Sequence, residues 1–238
     1  HRVTIKGLNP GMRSNIDVNG INDLLGPGGG SKLVARNAEA AIKVETGMKG
    51  VKIMNLMVSG GTEAKNIGIH FVGATDNGML SNIIGINLHT GVKIEQAKNM
   101  QIVNCWVCEL PNSIELIGGE NVVVKNCQLG AQPTGITCKV QEVNKLSFIN
   151  NQVYPDGREN LVLDACNNCV IEGNNFKSYY NGILVLNGND NTVNKNIFWL
   201  TGAVQNQLLD HGDDFGIINV KGNNNMVASN SLSCEWAY

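Results

Sequence analysis

Aromatic residues and charge are both scarce in this 238-residue chain, at 5% Phe, Trp and Tyr and 16% Asp, Glu, Lys and Arg. Its 18 Lys and Arg are scattered and outnumbered by 20 Asp and Glu, giving a formal charge of -2. Without a basic arm or patch there is nothing to neutralise phosphates, so no nucleic-acid partner is expected. No run approaches the ~18 apolar residues of a membrane-spanning helix. The longest, such as Ile183-Leu184-Val185-Leu186, is strand-sized, and no membrane partner is expected. Helical periodicity is missing as well. Ala35 to Val44 is the best candidate, and it reads equally well as an early coil. The first residue is His1 and no targeting segment precedes the strand-like Val3-Thr4-Ile5, so the chain reads as a fragment.

What is present in excess is turn-forming: 35 Asn and 28 Gly make about a quarter of the chain, while 42% hydrophobic content supports a large core. Both types tolerate φ > 0, so the chain must turn often. Seven Cys is an odd number without the density of a small disulfide scaffold, so they are expected to be mostly reduced and buried.

Self-similarity organises the sequence. Val122-Val123-Val124-Lys125-Asn126-Cys127-Gln128-Leu129, Leu146-Ser147-Phe148-Ile149-Asn150-Asn151-Gln152-Val153 and Val170-Ile171-Glu172-Gly173-Asn174-Asn175-Phe176 share one pattern. Aligned on the residue two before the last apolar one, the series runs Leu56, Ile83, Cys105, Cys127, Asn151, Asn174, Asn196 and Asn230, with steps of 27, 22, 22, 24, 23, 22 and 34. A period near 23 is too short for paired helices, and the fixed Leu and Asn spacing of leucine-rich repeats is absent. The pattern suits one coil of three short strands and three turns. The expected fold is therefore all-β: a single-stranded right-handed parallel β-helix over 1-238, about 22-24 residues per coil and eight to ten coils, with stacked Asn amides bonding from coil to coil. The long last step predicts a loop insertion near 201-214.

A second strand in each coil alternates with period two. It places Val92/Ile94, Ile114/Leu116, Cys138/Val140, Leu161/Leu163 and Ile183/Val185 inside, and Lys93, Glu115, Lys139, Val162, Leu184 and Ile218 outside. The apolar half of that outer column predicts a face that packs on a neighbouring chain or on the insertion.

Few constellations suggest chemistry. Cys105/Cys108 and Cys166/Cys169 have CxxC spacing, but Cys105 falls in an interior column, which suits buried thiols better than a tetrahedral zinc site. The four His fall at unrelated places, so no metal or cofactor is expected. Gly26-Pro27-Gly28-Gly29-Gly30-Ser31-Lys32 lacks P-loop spacing and reads as a turn. Glu115, between Lys93 and Lys139 on successive coils, is either a charge ladder or an acid/base residue. Asp213-Asp214, with Asp210 and His211, form a polar cluster that is either solvated or closes over a groove.

Tyr154-Pro155-Asp156-Gly157-Arg158, Leu163-Asp164-Ala165-Cys166-Asn167-Asn168-Cys169, Ser178-Tyr179-Tyr180-Asn181-Gly182, Leu186-Asn187-Gly188 and Asp213-Asp214-Phe215-Gly216, preceded by Glu109, Asn112, Ile114-Glu115-Leu116 and Gly28-Gly29-Gly30-Ser31, resemble in order and spacing the inulin fructotransferase family of glycoside hydrolases. The resemblance implies a right-handed β-helix forming a homotrimer, with active sites between neighbouring chains. It implies a substrate that is a fructan, from which the terminal unit leaves as a cyclic difructose dianhydride, or that dianhydride itself, hydrolysed. A polymeric substrate would imply an extracellular protein and the dianhydride a cytoplasmic one. The family's catalytic pair is an Asp and a Glu eleven residues apart. Glu115 matches the Glu in its Ile-Glu-Leu context, and Asn104 stands at the Asp position. An amide neither gives nor takes a proton at ordinary pH, so half of the pair is missing. Arg158, Tyr180 and Asp213 are candidate sugar-lining residues, since an Arg donor and an Asp acceptor suit hydroxyls and a Tyr stacks on a furanose ring, or else they are structural turn contacts; Glu109 is grouped with them. The alternatives are a non-catalytic carbohydrate-binding or structural β-helix with a decayed site, and a polysaccharide lyase or pectin hydrolase, for whose Asp cluster or calcium site the coils offer no match.

Overall fold

A computed structural model describes residues 4–6, 32–35, 38–60, 65–155, 158–179, 182–200 and 216–234. Every regular element among them is a β-strand, and the strands pair in parallel from coil to coil as a solenoid. One column runs Ile53, Leu80, Ile102, Val124, Phe148, Ile171, Val193 and Val227, eight rungs with seven turns between them, buried except for the exposed Val227 at the last rung; Ile5 pairs before Ile53. Parallel crossovers of this kind follow the right-handed rule.

Each coil has three faces. Face I carries the column above. Face II carries Val58, Gly85, Val107, Leu129, Val153, Phe176, Phe198 and Leu232. Face III carries Ile42, Ile69, Val92, Ile114, Cys138, Leu161, Leu184 and Ile218. One continuous hydrophobic core fills the space between them, including a stack of Phe148, Phe176 and Phe198 with successive centroids 6.1 and 4.9 Å apart.

The turn from face I to face II explains much of the Asn content. Asn55, Asn82, Asn104, Asn126 and Asn150 all occupy it with φ between 50° and 60°, followed by Gly173, Lys195 and Ser229. This is the left-handed region that Asn enters at lower cost than other side chains. The next residue points inward, and there the expected ladder forms. Asn151 Nδ2 donates to Asn174 Oδ1 (3.0 Å), Asn174 Nδ2 to Asn196 Oδ1 (2.9 Å) and Asn196 Nδ2 to Asn230 Oδ1 (3.0 Å). Their second amide protons go to the carbonyls of Val124, Phe148 and Ile171, so these buried amides are satisfied. A second ladder at the turn from face III to face I joins Asn191 to Asn225 and receives the Cys169 amide on Asn191 Oδ1.

One register expectation is corrected. Leu161 pairs with Leu184, Val162 with Val185 and Leu163 with Leu186. Leu184 and Leu186 therefore fill the core, Val185 faces outward, and Ile183 is buried at the corner. One coil on, Val185 pairs with Asn219 and Ile218 packs against the core. The outer column is thus Lys93, Glu115, Lys139, Val162, Val185 and Asn219, and its apolar part shrinks to two valines. The cause is a constant step of 23 residues through a tetrapeptide that is apolar at every position, where alternation gives no contrast and a one-residue slip exchanges the two sides.

Of the helix candidate Ala35 to Val44, Ala35 ends the strand Lys32–Ala35 and the second half is the strand Ala40–Val44, while residues 36–37 lie outside the described residues. The coil step lengthens to 34 residues between Phe198 and Leu232, where the insertion is expected; residues 201–215, and with them Asp210, His211, Asp213 and Asp214, lie outside the described residues.

Candidate functional site

Of the motifs carrying the resemblance, segments 163–169 and 186–188 run from face III into the turn before face I, while Glu109, Asn112, Arg158 and Ser178 lie at the corner where face II turns into face III. The connections at that corner vary in length from coil to coil, whereas the other corners stay short. Glu109 (φ 64°) is exposed there, and its backbone oxygen accepts from Gln132 Nε2 at 3.3 Å. The next coil passes through Gly135, where a Cβ would run into the Pro111 carbonyl oxygen, so only glycine permits this close stacking. On the following coil the Arg158 amide donates to Gly135 O at 2.9 Å. Tyr180 and Asp213 lie outside the described residues.

The guanidinium of Arg158 clamps the next side chain: Nε lies 2.9 Å from both Glu159 oxygens and Nη2 2.7 Å from Oε1. Glu159 is buried, while the Arg158 side chain is 41% exposed, so part of the guanidinium stays accessible beside the corner. The corner is fastened from below by side chains on backbone. Ser113 Oγ donates to Val107 O at 2.7 Å, and Asn160 Nδ2 to Lys177 O at 2.6 Å.

Glu115 stands on the outer side of face III, half-buried, in register with Lys93 on one side and Lys139 on the other, as the periodicity predicts. The charge ladder does not close through it. Lys93 Nζ turns along its own strand to Glu95 Oε1 at 3.1 Å, and no ion pair within 4.0 Å joins Glu115 to either lysine. Asn104 is exposed in the left-handed turn before face II, with its amide donating to Lys125 O at 3.1 Å. Within one chain the face II segment 106–110 runs between Asn104 and Glu115, on the order of 15 Å of strand. Asn104 therefore stands at the corner before face II, and Glu115 on face III beyond the next corner.

Sequence reasoning missed the cluster beside Glu115. His70 lies 23 residues before Lys93 and in its column. Its Nε2 is 3.3 Å from Glu95 Oε1, and its Nδ1, 3.7 Å from Glu39 Oε1, is buried with no hydrogen-bond partner. Gly73 N donates to Glu95 Oε2 at 3.4 Å. Burial raises the Glu95 carboxyl, but the hydrogen bonds from Lys93, His70 and Gly73 outweigh it and hold the group below the usual carboxylate value. The signal was in the sequence: the 23-residue step from His70 to Lys93, and the alternation that turns Glu95 outward with Lys93.

Fold and outer face together define a parallel β-solenoid with a loop-bearing corner and a charged outer face beside it. The profile of the family described as periplasmic copper-binding protein (NosD) matches residues 105–235, more than half of the chain, and the chain belongs to that family. No curated protein matches the chain in sequence. Among solved structures, DFA-IIIase from Arthrobacter chlorophenolicus A6 in complex with GF2 superposes with a TM-score of 0.80 at 22% identity, over 97% of this chain and 62% of that one. Its C387A mutant in complex with DFA-III gives the same values. The tailspike protein gp49 from Acinetobacter baumannii bacteriophage Fri1, a capsular polysaccharide depolymerase, matches with a TM-score of 0.53 at 13% identity, over 87% of this chain and 48% of that one. At these identities the likeness is one of fold, and the chain spans about 62% of the length of the DFA-IIIase structures.

The copper of the family's description does not fit the described residues, among which no three His, Cys, Asp or Glu side chains are grouped to hold a metal. Cys105, Cys108, Cys127, Cys138, Cys166 and Cys169 are free and buried, and those with resolved bonds give their S–H to backbone carbonyls. Burial pushes the Cys138 thiol well up, so the thiolate that a soft metal needs is disfavoured there.

Proposed function

We propose that this protein is a carbohydrate-active β-helix protein acting on fructosyl linkages, by intramolecular transfer that releases a difructose dianhydride or by hydrolysis of that dianhydride. The observation that carries the reading is the ordered set of motifs along a solenoid that superposes, over 97% of its length, on an enzyme held in complex with GF2 or DFA-III. Glu115 is the acid/base residue, on the outer side of face III and free of a lysine partner. Glu109 and Arg158 line the sugar site from the corner, and Tyr180 and Asp213, from the motifs that carry the resemblance, are assigned to the same site. A half-exposed guanidinium and carboxylates suit sugar hydroxyls, and a tyrosine ring stacks on a furanose. Asn104 occupies the family's Asp position without a titrating group. The working form is a homotrimer whose neighbour meets face III. With Leu184 and Ile218 turned inward, that assembly rests on the resemblance and on Val162 and Val185 alone.

Incubation with inulin and with difructose dianhydride, with products resolved by chromatography, tests the reading. Dianhydride from inulin, or free difructose from the dianhydride, supports it. A folded protein that binds either sugar without turnover supports the decayed-site alternative instead.

A further inference from the structure

Asn104 leaves the proposed reaction one proton carrier short, and face III offers a replacement. Strand Thr90–Val103 pairs with strand Trp106–Lys125 so that Lys93 faces Glu115 and Glu95 faces Ile117. Glu95 and Glu115 therefore project from the same outer surface, one coil and two residues apart. With ~4.8 Å between strands and ~3.3 Å per residue, the diagonal is about 8 Å. This is the spacing of the two backbone positions; the carboxyl groups at their ends must stand roughly 6.5–9.5 Å apart for one to protonate a leaving oxygen while the other serves the attacking group across the sugar, and the Glu95 carboxylate reaches back to His70 and Gly73 on the preceding coil.

The surroundings of Glu95 suit the second role. Oε1 accepts from Lys93 and His70, whereas Oε2 accepts only the Gly73 amide at 3.4 Å and keeps a lone pair for a hydroxyl. The side chain is 27% exposed, so a substrate can reach it. Behind it the His70 side chain is only 6% exposed, and its Nδ1 has no hydrogen-bond partner. A purely structural ion pair does not require a buried imidazole with one nitrogen unsatisfied. Glu39 approaches His70 from the preceding segment and Lys43 occupies the same column one coil earlier, so the groups around the imidazole are Glu39, Lys43, Lys93 and Glu95.

We propose that Glu95 is the second carboxylate of the site and works opposite Glu115 as its general base, an assignment that rests on the fructosyl reading above. Protonated Glu115 gives its proton to the glycosidic oxygen as the bond from that oxygen to the anomeric carbon breaks and the electron pair goes to oxygen. The attacking oxygen, from a neighbouring fructosyl hydroxyl or from water, bonds to the anomeric carbon and releases its proton to Glu95. One proton leaves Glu115, one arrives on Glu95, and exchange with solvent restores both. His70 and Lys93 act as positioning residues that aim the Glu95 carboxylate.

The experiment measures kcat and KM on inulin and on difructose dianhydride for the full chain and for Glu95→Gln, Glu95→Asp, Glu95→Ala and Asn104→Asp, each checked for fold by circular dichroism. Glu95→Gln is expected to lower kcat by about 10²–10⁴-fold with little change in KM. Azide, a small anion that occupies the vacated space, is expected to restore turnover to Glu95→Ala, an effect that a structural role would not produce. Glu95→Asp keeps the charge facing Lys93 and His70 and serves where Gln is not tolerated; the carboxylate retreats by a methylene and kcat falls. Wild-type kcat in a folded Glu95→Gln or Glu95→Asp variant, or no azide rescue, overturns the assignment and leaves the fructosyl reading standing. So does a large gain in Asn104→Asp, which would mean that the eleven-residue pair is the working one. A wild-type chain inert on both sugars overturns the fructosyl reading and this assignment with it.

Discussion

Asn151 Nδ2 donates to Asn174 Oδ1 at 3.0 Å across one coil, while the Asn151 backbone amide donates to the same oxygen at 2.8 Å. One acceptor thus closes two bonds inside the core, and Asn174 Nδ2 carries the chain on to Asn196.

Asn174→Ala is expected to cost about 2–4 kcal/mol, because it strands the Asn151 donors and the Phe148 carbonyl in an interior without water. Urea unfolding checks it. A loss below about 0.5 kcal/mol would mean that water or a backbone shift replaces the amide.

Asn104→Asp is expected to fold with stability within about 1 kcal/mol of the parent, since Asp also tolerates the left-handed turn, whereas Asn104→Val loses about 1–2 kcal/mol. Equal stability of both variants would contradict the turn geometry.

For Glu115→Gln the expectation is a folded protein that has lost turnover and has changed in stability by less than about 1 kcal/mol, because no ion pair is broken. Thermal melts and product chromatography on one sample decide it. Full activity in the variant would remove Glu115 from the site.

Acid stability follows from Glu95. Its carboxyl is held below the ordinary 4.5 in the folded chain, so its contribution is present above that value and is lost as pH falls through the lowered folded-state value. Glu95→Gln should therefore show a shallower fall in stability below about pH 4.5 than the parent. Parallel curves in a pH series of urea midpoints would argue that the Lys93 and His70 contacts do not persist in solution.

Cys105, Cys108, Cys127, Cys138, Cys166 and Cys169 should resist a thiol reagent in the folded state and react together on unfolding. Rapid modification of any of them under native conditions would place that coil among the locally opening parts of the solenoid.

Where sequence and structure agree, the physics is local and repeated. Period-two alternation and a step near 23 locate Val92, Ile114, Cys138 and Leu161 in one column because each coil restates the same choice. The outer half of Ile183-Leu184-Val185-Leu186 was illegible for the opposite reason: with no polar residue to mark the solvent side, only the neighbouring coils fix which pair points in. Asn104 shows a subtler limit. A position eleven residues before a Glu is visible in sequence, but its membership in a column of left-handed turn residues, a whole face away from Glu115, follows only from the three-faced coil. His70 and Glu95 depend on side chains from three successive coils, and the 23-residue step that sets His70 beside Lys93 is spread along the chain and not gathered in a motif.

The two inner corners change chemistry at different heights. At the turn after face I the inward column passes from thiols to amides between Cys127 and Asn151; at the turn before face I it does so between Cys169 and Asn191, two coils later. A stack of near-identical coils has an inherent ambiguity, since each strand would pair almost as well with the wrong neighbour. The offset removes it. Sliding the later coils by one repeat would change the two-coil offset between the boundaries, so the staggered boundaries number the coils, much as a single polar residue fixes alignment in a coiled coil.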